Sequence, residues 1–204
     1  MESSAALQAN HRRYKERLCL LQQYGYDLKN EYRFILEKIM PLTGAILEVG
    51  TGKGYFTIEL ARSGRRFTSL DVSPVEQEFA RLNIRYLGLE DFVDFHIADA
   101  GRLPYSQDSY DIIISVSTVH HLADPFRVLD EMARVAAPGG RILLSDFTPE
   151  GQDVINQIHL FEGKPAHKMG EFGLRDLKRY FEDKKYRVDE HQGKHQEMIV
   201  IHKP

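Results

Sequence analysis

The sequence predicts an α/β fold, a doubly wound and mostly parallel sheet with helices on both faces, a reversed last strand and two N-terminal helices. Three observations carry this expectation. Short apolar runs at 45–50, 67–72, 93–98, 110–116 and 141–147 alternate with amphipathic helix signals. Within the fourth run, Ile112-Ile113-Ile114 does not alternate with polar residues, which is how a strand covered on both faces reads. Finally, YRVDEHQ (186–192) and QEMIVIHK (196–203) are separated only by Gly193-Lys194-His195. That gap is too short for a crossover helix, so these two strands must be antiparallel.

The elements follow in order. Residues 4–23 mix Leu18, Leu20 and Leu21 with basic residues and read as a helix. Residues 27–40 carry Tyr32, Ile35, Leu36 and Ile39 at helical spacing and stop at Pro41. The first strand runs into a glycine turn and a helix over 53–63. Ser73-Pro74-Val75-Glu76 combines an N-cap, a proline at the first helical position and a capping-box acid. Asp124-Pro125 repeats the cap and proline, Phe126, Leu129 and Ala133 then share one face, and Pro138-Gly139-Gly140 is expected to end that helix. Segment 148–172 is a candidate lid, and a helix over 174–184 precedes the terminal hairpin. The expected organisation is one domain: a helical cap (1–43), a ligand-binding core (44–147), the lid (148–172), and the final helix with its hairpin (173–204).

A chain of 204 residues, 42% apolar and 28% charged, has the profile of one globular domain. Its net charge of −3 provides no global basic field, so a nucleic-acid partner is not expected. Arg12, Arg13, Lys15 and Arg17 are diluted by Glu16 and Glu31 and read as a solvated helix face. The single Cys19 cannot form an internal disulfide, which favours a reducing compartment. No apolar run is long enough to span a bilayer, and the polar start does not read as a secretory leader, so a cytoplasmic location is expected.

The stretch LEVGTGKGYF (47–56) places Gly50, Gly52 and Gly54 directly behind a strand and before a helix. Glycine there allows positive φ and close approach of the backbone to a ligand. The spacing is neither the G-x-G-x-x-G of dinucleotide sites nor that of a P-loop, and a tight turn with no ligand is the plain alternative. Two acids strengthen the ligand reading. Asp71 ends the second strand, where an acid can accept two bonds from a ribose diol, and Asp99 ends the third. Three successive strands thus end in glycine or acid at their C-terminal edge, where doubly wound sheets bind ligands.

On these residues the sequence resembles the class I S-adenosylmethionine-dependent methyltransferases, which have a Rossmann-like seven-stranded sheet with an antiparallel last strand. LEVGTGKGYF resembles their first motif, and the acids of LDVS and IADA match their ribose and adenine acids. YDIIISVSTVHHLADPFRVLDEMARVAAPGGRILLSDF resembles the fourth strand, next helix and fifth strand of the small-molecule branch that includes ubiquinone/menaquinone-type methyltransferases. The resemblance covers about residues 40–148. It implies that Gly50, Thr51 and Gly52 line the methionine end of S-adenosylmethionine and that Glu48 helps hold its ammonium group. It further implies Asp71 on the ribose, Val72 against the adenine, Asp99 and Ala100 at the adenine edge, and Ser115 and Val116 on the opposite side.

The activity so implied is methyl transfer by in-line displacement to a small-molecule acceptor, mainly through positioning. His120 is the candidate base, with packing or helix entry as the alternative role. No metal set is expected, because His159, Glu162 and His167 are irregularly spaced and no cysteine accompanies them. The fourth strand continues as SVST, unlike the Asn/Asp-Pro-Pro-aromatic turn of methyltransferases acting on nucleobase or glutamine amide nitrogens. Only about two dozen residues separate the fifth strand from the final helix, too few for a substrate domain. The acceptor pocket must then come from the lid, the N-terminal helices with Tyr24 and Tyr26, or a second subunit in a homodimer. Two competing readings stand beside this one. An NAD-dependent oxidoreductase would want wider glycine spacing and no reversed strand. A non-catalytic S-adenosylmethionine-binding or interaction protein would keep the turn and lack an acceptor pocket.

Overall fold

The computed structural model of the chain describes residues 4–204. Two helices, α1 (Ser4–Gln23) and α2 (Leu28–Ile39), precede the alternating core. The core runs β1 (Ile46–Val49), α3 (Tyr55–Ala61), β2 (Phe67–Asp71), α4 (Pro74–Tyr86), β3 (Val93–Ile97), β4 (Tyr110–Val116), α5 (Pro125–Val135) and β5 (Ala136–Phe147). Then come α6 (Pro149–Phe161), α7 (Leu174–Asp183), β6 (Arg187–Gln192) and β7 (Gln196–His202). The seven strands form one sheet in the order β3-β2-β1-β4-β5-β7-β6, with β7 antiparallel to both of its neighbours and the remaining pairings parallel. The expected doubly wound sheet with a reversed last strand is therefore present.

Strand periodicity divides the core in two. Ile46, Ile112 and Ile114 pack on one face with α1, α2, α3 and α6, while Leu47, Val49 and Ile113 pack on the other with α5 and α7. This is why Ile112-Ile113-Ile114 shows no polar alternation. The helix starts form as the sequence chemistry dictates. Ser73 Oγ accepts from Glu76 N–H at 3.2 Å, and an Asp124 carboxylate oxygen accepts from Arg127 N–H at 3.1 Å.

One local expectation is corrected. Pro138-Gly139-Gly140 does not terminate α5, which ends at Val135; the tripeptide lies inside β5. Gly139 adopts φ +73° and its N–H donates to Lys203 O at 3.1 Å, while Lys203 N–H donates to Gly140 O at 2.9 Å. Pairing with the end of the chain recruits the tripeptide into the sheet, with a register irregularity between Tyr110 and Ile112 on the other side. The first half of segment 148–172 is α6, anchored by buried Ile155 and Ile158, and a loop follows Phe161.

The N-terminal helices are tied to the core at several points. Asn10 Nδ2 donates to Phe79 O at 3.0 Å, His11 stacks on Tyr86 with ring centroids 4.0 Å apart, and Tyr32 meets Phe56 edge-on at 5.4 Å. His195, at the hairpin tip, pairs with Glu31 of α2 at 2.9 Å. The crossing of the glycine turn over α4 is tighter still. Gly54 has φ +81°, and a Cβ built on it would lie 2.6 Å from Ala80 Cβ and 2.9 Å from Ala80 Cα. Gly64 has a similar φ of +74° and open space around it. Gly64→Ala should therefore lose about 1 kcal/mol for its backbone conformation alone. Gly54→Ala should lose a further ~1–3 kcal/mol from overpacking against α4. Denaturant unfolding of the two variants checks this, and equal losses would refute the steric contribution.

Candidate functional site

A cleft of about 490 Å³ opens at the C-terminal edge of β1, β2 and β4. Its floor is the glycine turn. Gly50, Gly52 and Gly54 have φ of +91°, +50° and +81°. Gly50 N–H and Thr51 N–H both donate to Leu70 O, at 2.8 and 3.1 Å, which fastens the turn to the end of β2. Gly50 is also sterically required, because a Cβ there would meet Thr118 Oγ1 at 2.2 Å.

The two acids sit as their strand positions dictate. Asp71 accepts from Gly52 N–H at 2.6 Å through one oxygen and from Ser73 N–H at 2.8 Å through the other. Each oxygen retains acceptor capacity toward the cleft. Asp99 accepts from Gly101 N–H at 2.8 Å, with the Arg127 guanidinium 3.9 Å away. Val72 is 70% exposed, a large apolar side chain left open at the mouth between these acids. Gly50, Thr51, Gly52, Asp71, Val72, Asp99, Ala100 and Val116 all line this one cleft.

Three of the expected site residues do not line it. Glu48 is 2% exposed and lies beneath the turn. Its carboxyl accepts from Thr57 Oγ1 at 2.8 and 3.0 Å and from Ser69 Oγ at 2.5 Å. Ser69 Oγ is in turn 2.6 Å from Thr51 Oγ1, and Gln77 Nε2 donates to Thr51 Oγ1 at 3.2 Å and to His96 O at 2.9 Å. Glu48 shares the strand parity of Ile46 and is covered by α3, which is why it faces Thr57 and not the cleft. Burial pushes its carboxyl up to about 8, against the bonds from Ser69 and Thr57, which favour ionisation. Ser115 is likewise buried, its Oγ without a hydrogen-bond partner. It shares the parity of Ile113, whereas Val116 shares that of Ile112 and Ile114 and reaches the cleft.

His120 is the third. It is 6% exposed, its Nδ1 is 2.6 Å from Asp146 Oδ1, and its backbone N–H donates to Asp146 Oδ2 at 3.2 Å. The ring that reaches the cleft is His121, the exposed last residue of the 3-10 turn Val119–His121. His120 Nε2 lies 3.1 Å from His121 Nε2 and 2.8 Å from His167 Nε2. Burial, followed by the neighbouring histidines, pulls His167 down to about 4. Of the other polar candidates, Glu162 pairs with Arg17 and Lys164, and His159 Nδ1 is 3.1 Å from Pro165 O. Tyr26 is fully buried and accepts from Gln196 Nε2 at 2.7 Å; burial raises its hydroxyl pKa.

Sequence reasoning missed several cleft residues: Tyr32, Tyr55, Phe56, Ser117 and Thr118. Tyr32 carried a signal, as an aromatic on the inner face of α2, but that pattern equally reads as core. Ser117 adopts φ +51° outside glycine, and its Oγ accepts from Gln196 Nε2 at 3.1 Å. Such a conformation in a non-glycine residue is held by its surroundings and is not visible in sequence.

Residues 47–144 match the methyltransferase domain family. Methyltransferase GfsG of Streptomyces halstedii is 42% identical over 107 residues, 52% of this chain and 38% of that protein. Demethylmenaquinone methyltransferase of Clavibacter sepedonicus is 35% identical over 111 residues, 54% of this chain and 44% of that one. The matched segment thus spans less than half the length of these curated relatives. An S-adenosylmethionine-dependent methyltransferase from Aquifex aeolicus shares the fold, with a TM-score of 0.67 at 22% identity over 84% of this chain and 88% of its own. Over residues 47–144 the chain is thus similar to methyltransferases, and its fold is that of a solved S-adenosylmethionine-dependent methyltransferase. No helix among the described residues is long and apolar enough to cross a membrane.

The raised Glu48 carboxyl gives a pH prediction. Its folded pKa exceeds the unfolded value of 4.5, so the folded state binds the extra proton between 4.5 and about 8. The contribution of Glu48 to stability is undiminished below the lower value, declines as pH rises through this window and levels off above it. Glu48→Gln, which keeps size and hydrogen-bonding capacity, should remove that decline and gain on the order of 1–4 kcal/mol relative to the parent at pH 9. Urea unfolding of both proteins across pH 5–9 checks this, and parallel pH profiles would refute it.

Proposed function

We propose that this chain binds S-adenosylmethionine in the cleft and transfers its methyl group to a small-molecule acceptor. The observation that carries this reading is the convergence of the glycine turn, Asp71, Val72, Asp99 and Ala100 on one cleft. The residues fit the cofactor chemically. A Cβ built on Gly52 meets nothing within 4 Å, so the turn offers open backbone to a ligand. Asp71 and Asp99 present acceptors for hydroxyl and amine donors, and Val72 presents apolar surface for a planar base. When bound, the cofactor supplies an electrophilic methyl carbon on a sulfonium leaving group.

The contribution of the protein in this reading is positional. Asp71 holds the ribose hydroxyls, and its own carboxylate is fixed in advance by Gly52 and Ser73 N–H. Gly50, Thr51 and Gly52 hold the amino-acid end, and Val116 with Thr118 closes the opposite wall. Glu48 acts from beneath by locking the turn and does not bind the ammonium group. Tyr32, Tyr55 and Phe56 exclude water from the side of the N-terminal helices. His121 takes the place of His120 as the ring that faces the acceptor, because His120 is buried and does not line the cleft. The name of the Clavibacter relative, which denotes a quinone acceptor, and the absence of a separate substrate domain in the described residues support a small acceptor.

Calorimetric titration of the protein with S-adenosylmethionine and with NAD tests the cofactor. Binding of NAD alone would reject the proposal. Asp71→Ala should weaken S-adenosylmethionine binding by about 10- to 100-fold, the loss of charged hydrogen bonds to two hydroxyls. An unchanged dissociation constant would reject that role. Release of S-adenosylhomocysteine across a panel of hydroxyl, thiol and amine acceptors then tests transfer, and binding without turnover on any acceptor would favour a non-catalytic role.

A further inference from the structure

The cleft has a second chemical feature on its acceptor side. The 3-10 turn after β4 and the loop after α6 bring three imidazoles together, His120, His121 and His167, with one ring nitrogen from each lying within 4.8 Å of the others. The contacts centre on His120 Nε2, which is 3.1 Å from His121 Nε2 and 2.8 Å from His167 Nε2. The loop is also bonded to α6 and passes close to this turn. His167 N–H donates to Asn156 of α6 at 2.7 Å, and a Cβ built on Gly170 would lie 3.1 Å from His120 O.

Hydrogen bonding among the rings is an incomplete account of this arrangement. With Nδ1–H of His120 directed at Asp146, its Nε2 carries one lone pair, and a proton bridges only two nitrogens at a time. A cation at the centre would engage all three lone pairs together. Three imidazoles suit a borderline transition-metal ion of the Zn²⁺ type and are poor ligands for Mg²⁺ or Ca²⁺. Tetrahedral bonds of about 2.0–2.1 Å place neighbouring ligand nitrogens about 3.3 Å apart, a small expansion of the two contacts seen here. Asp146 already occupies the place of the carboxylate that commonly orients a metal-bound histidine, bonded to His120 through Nδ1 and backbone N–H and to Phe147 N–H at 2.9 Å.

We infer that His120, His121 and His167 bind one divalent transition-metal ion of the Zn²⁺ type, with Asp146 as the positioning carboxylate and the fourth coordination position open toward the cleft through His121. Three protein ligands with an open position are the arrangement of catalytic zinc sites, as opposed to closed structural ones. Resting on the methyl-transfer reading, the inference also names the acceptor class. An acceptor hydroxyl or thiol would bind the open position as its anion, its O–H or S–H proton leaving to solvent as the metal–oxygen or metal–sulfur bond forms. An amine acceptor has no such need at neutral pH if it is already unprotonated, so hydroxyl and thiol acceptors are favoured.

Tag-free full-length protein, stripped with a chelator and titrated with Co²⁺, provides the test. The expected result is one equivalent of bound cobalt with the intense visible absorption of a four-coordinate site, displaced by Zn²⁺. His121→Ala and His167→Ala should each weaken binding by at least about 100-fold. Both positions are less buried than His120, so the variants should stay folded, which far-ultraviolet circular dichroism checks. His191→Ala, in β6, should bind as the parent does. Absence of the four-coordinate spectrum in the parent, or its survival in both ligand variants, overturns the site. Cobalt binding is read without S-adenosylmethionine, so the two proposals fail separately. A protein that binds cobalt but not S-adenosylmethionine keeps the metal site and loses the methyl-transfer reading, and the reverse outcome does the opposite.

Discussion

The arrangement of the cleft depends on a buried polar bracket beneath the glycine turn. Three glycines at positive φ have no intrinsic reason to hold one shape, because glycine loses more conformational freedom on folding than any other residue. The bracket supplies the constraint. Glu48 on β1, Ser69 on β2, Thr57 on α3 and Gln77 on α4 converge on Thr51 or on one another, so four successive elements share one hydrogen-bonded network. All of these groups are buried, and buried polar groups are costly unless paired. The turn therefore has few alternative conformations that keep the network satisfied. Leu70 O on one side and Asp71 on the other complete the clamp, fixing the backbone that faces the ligand before any ligand arrives.

An acid two residues before the first glycine resembles a ligand contact when read as a string. In space, two residues along a strand keep a side chain on the same sheet face, and that face at Glu48 is roofed by α3. Asp71 differs because it is the last residue of β2, where the chain leaves the sheet and the side chain reaches the edge. Position along the strand, more than residue type, separates an acid that lines the cleft from one that organises the backbone beneath it.

Legibility followed the range of the interactions. The helix starts at Ser73-Pro74 and Asp124-Pro125 were readable because capping is decided within four residues. The reversed strand was readable because a three-residue connection permits only one pairing geometry. The end of α5 is not legible locally, because Pro138-Gly139-Gly140 looks like a helix terminator while its pairing is with the distant Lys203. The choice of Val116 over Ser115 lay within reach of the period-two rule, once Ile112 and Ile114 were assigned to the face of the N-terminal helices. The histidine cluster lay beyond any local rule. His167 is 47 residues from His120, and only the path of α6 and its following loop brings the two rings together.

That path also explains why the side of the cleft proposed for the acceptor differs in character from the side proposed for the cofactor. The cofactor side is built from strand ends and turns inside the family-matching core, and its geometry is set by the sheet. The acceptor side is built from the 3-10 turn Val119–His121 and the loop after Phe161, with Ser117 held in a left-handed conformation between them and the sheet. Gln196 of β7 joins these regions, since its amide nitrogen donates both to Ser117 Oγ and to Tyr26 Oη while its oxygen accepts from Ser145 Oγ. One buried amide thus links the turn that carries the histidines, the reversed strand and the N-terminal cap. Any displacement of the N-terminal helices must either carry Gln196 with them or leave buried polar groups unpaired. The constraint makes the cap part of the acceptor side in energetic terms, although Tyr26 itself never reaches the cleft.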